Sequence, residues 1–191
     1  MQNLASGQEA DVEQLLKLHR DWYFSNYNIN IPLMRTVFPP GKEDFLMFNL
    51  NDHPYFGVDD LTDLWSYYAR TGKWGLCEDY IMRLEVSGDM AYVVSEGVFP
   101  SWQVRDEDGN DLPEDRVLDQ TAYYRSTEVY KRDDGQGNPR WTMWHFHCST
   151  RPADDEAPPA KSEKDAAAVR GLGNTPYSTG TRTDFSGYPD A

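Results

Sequence analysis

The chain predicts an α+β domain in which a curved antiparallel sheet lies over N-terminal helices. Three observations carry that expectation. Helical spacing of apolar residues is confined to the N-terminal part of the chain. Four strand-like runs with turn signals between them follow. The last run, Trp141-Thr-Met-Trp-His-Phe-His-Cys-Ser149, carries bulky groups at nearly every position and contains no Gly or Pro. Helices followed by a block of strands is the order that α+β folds show.

From Glu9 to Tyr27, Val12, Leu15, Leu16, Leu18, Trp22 and Tyr23 recur at helical spacing, and Asp11 and Glu13 suit the positive end of that helix. Asn26, Asn28 and Asn30 break it. A short segment from Ile31 to Val37 opens with Pro32 in its first turn, where the missing N–H costs little, and Pro39-Pro40-Gly41 ends it. Residues 44–50 read as a strand, Asn51-Asp-His-Pro54 as a turn and Tyr55-Phe-Gly57 as a brief return strand. Val58 to Tyr68 is helical, with Leu61, Leu64, Trp65 and Tyr68 on one stripe, and Thr71-Gly72 closes it. Cys77–Val86 and Met90–Trp102 flank Ser87-Gly88-Asp89, a hairpin turn. Arg105–Asp115 is an acidic loop. Leu118–Arg132 and Trp141–Ser149 pair around the turn-rich 133–139.

The chain has 191 residues, enough for one compact domain with an extension. Residues 1–151 form the expected domain. Residues 152–191, rich in Pro, Gly, Ala, Ser, Thr and Asp, form an extended C-terminal arm; Tyr177, Phe185 and Tyr188 suit one held against the core or a neighbouring subunit. The net charge of −14, from 32 acidic and 18 basic residues, opposes binding to nucleic-acid phosphates and to anionic membranes. No apolar run approaches the ~20 residues that span a bilayer, and the N-terminus lacks the features of a signal peptide. A cytoplasmic protein with Cys77 and Cys148 as free, partly buried thiols is the expectation. No CxxC, HExxH or Cys/His cluster marks a metal site.

Strict alternation along Trp141–Ser149 puts Trp141, Met143, His145, His147 and Ser149 on one face and Thr142, Trp144, Phe146 and Cys148 on the other. The first face would close a pocket floor. The second, with Thr142, Trp144 and Phe146, is bulky enough to need a cover of its own.

The stretch Phe48-Asn-Leu-Asn-Asp-His-Pro-Tyr-Phe-Gly57, followed by Asp60-Leu-Thr-Asp-Leu-Trp65, resembles the front half of SnoaL-like proteins. Trp141–Ser149 resembles their last strand, and also that of the oligomerisation domain of calcium/calmodulin-dependent kinase. All belong to the nuclear-transport-factor-2-like (NTF2-like) superfamily, and the resemblance covers Glu9 to Ser149. It implies an NTF2-like cone, a bent sheet around a pocket capped by the N-terminal helices, assembled as a homodimer or homotrimer in which Thr142, Trp144 and Phe146 meet another subunit. It also implies acid/base chemistry without cofactors, as in the family's dehydratases, isomerases, cyclases and dehydrochlorinases. In its dehydratase-like members a Tyr and an Asp near the end of the first helix serve the site. The matching pair here is Tyr27 and Asn28, and an amide is no base, so the base must come from elsewhere.

Each candidate carries a structural reading beside its functional one. His53 in its turn is either a general base at the pocket mouth or a solvated residue. His147 and His145 either shuttle protons from the strand face or pack in the core. Glu96, sharing a face with Tyr92, Val94 and Val98, is either an acid/base with a raised pKa or turned to water. Arg125 and Arg83 either stabilise a substrate oxyanion or pair with Glu96 or Glu85. Tyr27 completes the catalytic candidates, and Tyr123, Trp65, Trp22, Tyr55, Phe48 and His145 the substrate-binding ones. The aromatic supply suits a flat aromatic small molecule as partner. The resulting expectation is a cofactor-independent lyase acting by dehydration or elimination, and the resemblance, through superfamily members that act on lignin-derived diarylpropanes, implies loss of formaldehyde from such a molecule as its most specific form. The alternatives are a non-catalytic binding or oligomerisation module and an isomerase or cyclase of the same fold.

Overall fold

The computed structural model describes residues 5–41, 45–150 and 180–189. Helix α1 spans Glu9–Asn26 and buries Leu15, His19, Trp22 and Tyr23. Its start is tied to the sheet through Asp11. That carboxylate accepts from Arg132 Nη1 and Nη2 at 2.7 and 2.8 Å and from Trp141 Nε1 at 3.0 Å. The Arg132 hydrogen bonds, with that of Trp141, hold the Asp11 pKa down at about 2. The helix ends in a 3-10 turn where Asn28 and Ile29 take φ of +55° and +51°. Asn30 then caps α2 (Ile31–Arg35), its Oδ1 accepting from Leu33 N at 3.1 Å. Helix α3 (Gly57–Thr71) buries Val58, Leu61 and Trp65.

The strands are β1 (Ala5–Ser6), β2 (Leu46–Phe48), β3 (Pro54–Phe56), β4 (Gly72–Trp74), β5 (Glu78–Ser87), β6 (Met90–Phe99), β7 (Ser101–Gln103), β8 (Leu118–Asp119), β9 (Ala122–Arg132), β10 (Trp141–Thr150) and β11 (Thr181–Arg182). The main sheet runs β1-β5-β6-β9-β10-β2-β3, with β11 also on β5. Its centre, β5-β6-β9-β10, is the expected antiparallel meander, and β2 joins β10 in parallel. The α+β class with a curved sheet over the N-terminal helices therefore holds.

Two features depart from the sequence reading. Met90–Trp102 is two strands, because Pro100 has no N–H to give the ladder. Strand β7 leaves the main sheet there and builds a second one, in the order β4-β7-β8. Of the C-terminal arm, residues 152–179 lie outside the described residues. Residues 180–189 lie against the core: β11 pairs with Tyr80–Ile81 on the edge of β5 that β1 uses farther along. Phe185 is buried, and Tyr188 stacks on Phe24 at 4.4 Å between ring centroids. Covering that edge shields its unpaired backbone groups from a foreign strand.

The alternation expected along β10 fails at one residue. Met143 pairs with Tyr130 and His145 with Val129, so Trp144 is an extra residue, a β-bulge. A bulge exchanges the two faces of everything beyond it. Trp141 and Met143 therefore share the inner face with Phe146 and Cys148, while His145 and His147 turn outward. Phe146, expected at a subunit interface, packs edge-on to Trp22 at 5.1 Å instead. Strand β5 carries a second bulge at Met82.

Candidate functional site

Inside the sheet, under α1 and α3, lies a cavity of about 220 Å³. Trp22 and Trp65 stack across it at 5.5 Å, and Tyr68, Trp74, Phe99, Tyr124 and Phe146 add further rings. Its polar lining residues are Asn26, Asn49, Asn51 and Gln120 with their amides, Tyr23, Tyr68, Ser101 and Tyr124 with their hydroxyls, Cys148 with its thiol, and the tryptophans, of which Trp22 has a buried N–H without a partner among the described residues. Among the described residues, no Asp, Glu, His, Lys or Arg lines it. Each element contributes by its period: one helical face of α1 brings Trp22, Tyr23 and Asn26, and alternate positions of β9 and β10 bring Ala122, Tyr124, Phe146 and Cys148.

The charged groups sit one step behind this wall. His19, Asp79 and Glu128 are fully buried together. His19 Nε2–H donates to Asp79 Oδ2 at 2.8 Å, and Nδ1–H faces both oxygens of Glu128, at 2.9 and 3.1 Å. Tyr124 donates to Asp79 Oδ1 at 2.7 Å, Thr183 to Asp79 Oδ2 at 2.6 Å, and Tyr130 to Glu128 Oε2 at 2.5 Å. Tyr23 hydrogen-bonds Ser126 at 2.7 Å and Ser95 at 3.1 Å. Helix α1, strands β5 and β9 and the C-terminal segment thus meet in one polar network whose Tyr124 also forms the cavity wall, and Tyr23, held by its two serines, packs beside it on the His19 ring at 4.8 Å.

With carboxylates on both ring nitrogens, His19 is an imidazolium. Burial opposes the charge, but Glu128 and Asp79 outweigh it and raise its pKa from 6.5 to about 10. Burial pushes Asp79 up, yet the His19 charge and the donors around it leave it below its ordinary value. Burial, reinforced by neighbouring negative charge, raises Tyr23 and Tyr124 well above the usual phenol range and Cys148 to about 12. Stability should respond to pH in both directions. The His19 contribution is complete below the unfolded value of 6.5 and is lost as the pH rises toward about 10; that of Asp79 is complete above 3.8 and is lost below it. Urea unfolding across this range should show a maximum between those two values. A flat profile on the alkaline side would show that His19 is not held charged.

The structure does not bring the sequence candidates together in one site. Trp22 and Trp65 line the cavity. His53, His147 and Phe48 line a separate pocket of about 350 Å³ that meets the cavity at Asn49, Leu50 and Cys148. His145 holds Leu46 O through Nδ1 at 2.9 Å and packs edge-on to Phe48. Glu96 and Arg125 are cross-strand neighbours on the outer face, joined at 3.2 Å, and Arg83 pairs with Glu85 in solvent. The alternation of β6 and β9 that sends Ser95, Tyr124 and Ser126 inward sends Glu96 and Arg125 outward. Tyr123 also faces outward, Tyr27 packs on Phe24, and Tyr55 accepts from Asn51 outside the cavity wall.

The sequence reading missed His19, Asp79, Glu128 and Thr183; Tyr23 and Tyr124 it counted among the chain's many phenols without assigning them to the site. His19 had a visible signal, lying four residues after Leu15 and three before Trp22 on the apolar stripe of α1. Glu128 alternates with Tyr124, Ser126 and Tyr130 along β9. Nothing local marks Thr183.

No family model and no curated protein sequence matches the chain. Solved structures do. A ketosteroid isomerase-like protein from Erwinia carotovora atroseptica superposes with a TM-score of 0.59 at 12% identity, over 76% of this chain and 99% of its own. A candidate dehydratase of the NTF2-like family from Streptomyces avermitilis gives 0.54 at 14% identity, over 77% and 100%. A hexachlorocyclohexane dehydrochlorinase gives 0.55 at 15% identity, over 75% and 86%. Enzymes thus stand among the structures it resembles, and among the described residues no helix is long and apolar enough to cross a membrane. With its helices capping a bent, unclosed sheet around a cavity, the chain has the nuclear-transport-factor-2-like fold.

Proposed function

We propose that the cavity receives a hydroxylated aromatic molecule and that the chain is a cofactor-independent lyase removing water from it. One observation carries this reading. Tyr124, in the cavity wall, gives its proton to Asp79 Oδ1 at 2.7 Å and so offers its oxygen lone pairs to the cavity. A substrate hydroxyl donating to that oxygen can pass its proton to Tyr124 as Tyr124 passes its own to Asp79. The electron pair left on a phenolic oxygen moves through the ring and breaks a benzylic carbon–oxygen bond. The departing hydroxide collects the proton back through Tyr124 and leaves as water. Because Asp79 is held below its ordinary pKa, it serves as a stop in a concerted relay rather than as a lasting base.

The ring system, with amides at intervals, suits an aromatic substrate held by stacking and a few hydrogen bonds. An engineered cavity of ~150 Å³ holds benzene, so about 220 Å³ holds one substituted ring. A two-ring diarylpropane would keep its second ring at the mouth. A second reading, a binding module for the same ligands, is favoured by the lack of any ionisable carboxylate or imidazole in the described wall.

Turnover of hydroxybenzyl alcohols and hydroxylated diarylpropanes, followed by mass spectrometry, separates the two. Tyr124→Phe should lower turnover about 10²-fold while ligand binding by calorimetry changes far less. Binding without conversion by the unmodified chain leaves the binding module standing. Full turnover by Tyr124→Phe removes the relay.

A further inference from the structure

We infer that the cavity selects its ligand by charge, taking a ring that bears a protonated amine ahead of its neutral counterpart and excluding the carboxylated one. The selection rests on the cavity being the ligand site proposed above, and not on any turnover there.

The first observation is the wall itself: no Lys, Arg or His among the described residues faces the cavity to receive an anion. The second is the charge behind it. One imidazolium, His19, is shared by two carboxylates, Asp79 and Glu128, whose other side-chain partners are the hydroxyls of Tyr124, Thr183 and Tyr130. One negative charge is therefore left over, fully buried, in contact with the back of the cavity wall. Buried charge is screened little by salt or solvent. The wall groups register it: besides burial, the negative charges of Glu128 and Asp79 push the Cys148 thiol upward.

The third observation is the end of α1. Its last turn supplies Trp22, Tyr23 and Asn26 to the wall, carries no basic residue, and places the partial negative charge of a helix C-terminus there. The fourth is the aromatic lining, with Trp22 and Trp65 stacked at 5.5 Å and Tyr68 beside Trp74 at 5.2 Å. Aromatic faces attract cations, most strongly where water is excluded. Each of the four acts in the same direction: potential, helix end and ring faces favour a cation, and an anion would meet only neutral donors, the amides, the hydroxyls and the Trp22 N–H, with no positive charge among the described wall residues.

The test uses benzylamine, benzyl alcohol and benzoate, three ligands of nearly one shape, titrated calorimetrically into the full chain at neutral pH. The dissociation constant should rise about tenfold from amine to alcohol and again, at least, from alcohol to benzoate. Repeating the series in about 1 M NaCl, where the Debye length is about 3 Å, should preserve the order, because its source is buried. Glu128→Gln, which removes the surplus charge, should bring amine and alcohol together. Benzoate binding as tightly as the alcohol, or no binding by any of the three, overturns the inference. Loss of the order in high salt transfers it to the net surface charge of −14 and overturns the assignment to the triad. Should Glu128→Gln not fold, the salt series on the unmodified chain still decides. Turnover plays no part in this readout, so a failed lyase assay leaves the ranking intact, and a failed ranking leaves the Tyr124 experiment intact.

Discussion

Replacing His19 with Leu is expected to destabilise the fold by about 3–5 kcal/mol, the usual cost of stranding a buried charge. Leu is a good helix former and fits the apolar stripe of α1 between Leu15 and Trp22, so propensity and hydrophobicity alone would favour the change. The carboxylates decide otherwise. Asp79 and Glu128, both without solvent exposure, lose the one cation that each faces, at 2.8 and 2.9 Å, and are left to repel each other. Against a typical total stability of about 5–15 kcal/mol, the loss is large enough to see in the urea midpoint of a single variant. The contrast sharpens it: with His19, Asp79 and Glu128 all replaced by apolar residues of similar volume, most of the stability should return, since buried ion groups are often exchangeable for packed hydrocarbon as a set. If the single and triple variants unfold alike, the network is not an ion triad.

The architecture was legible where a period spoke. Leu15, Trp22 and Tyr23 declared α1, the Ser87-Gly88-Asp89 turn declared the β5–β6 hairpin, and the Trp141–Ser149 run placed a strand, while the break that Pro100 makes inside Met90–Trp102 went unread. The site was less legible, because a single inserted residue carries no compositional mark. Trp144 is as strand-like as its neighbours, yet as the bulge it exchanges the faces of β10, sending His145 and His147 out and Phe146 and Cys148 in. The acid/base expectation fell on His147, whose face the bulge exchanges, and on Glu96 and Arg125, each read from the apolar residues of its own strand and each on the outer face. Meanwhile the buried charges were distributed over α1, β5 and β9, far apart in sequence, and joined to a threonine more than 160 residues from His19. Partners brought together only by topology leave no spacing to read. A histidine on an apolar helical stripe and a glutamate alternating with inward aromatics were the signals available, and each points to burial before it points to a partner.

Gly97→Ala is the substitution that should damage fold and site together. Gly97 pairs with Asp79 on one side and with Tyr124 on the other, so it lies between the two groups that the proposed relay joins. A β-carbon there would stand 2.3 Å from the Glu78 carbonyl oxygen, 2.5 Å from the Tyr124 hydroxyl and 2.7 Å from the carbon bearing it. Backbone on one side cannot yield cheaply, so the phenol must move, and its 2.7 Å bond to Asp79 goes with it. Overpacking of this kind costs about 1–3 kcal/mol, readable in thermal or urea unfolding. If Tyr124 and Asp79 carry protons as proposed, turnover should fall about 10²-fold as well, as it does for Tyr124→Phe. Two residues that act through one hydrogen bond should not add. The Gly97→Ala, Tyr124→Phe double variant is therefore expected to turn over no more slowly than the slower single one. Multiplying losses would mean that Gly97 serves the backbone and Tyr124 the substrate independently. Non-additive losses would mean that the missing side chain at position 97 is what lets a cavity-wall phenol reach a buried carboxylate across two strands.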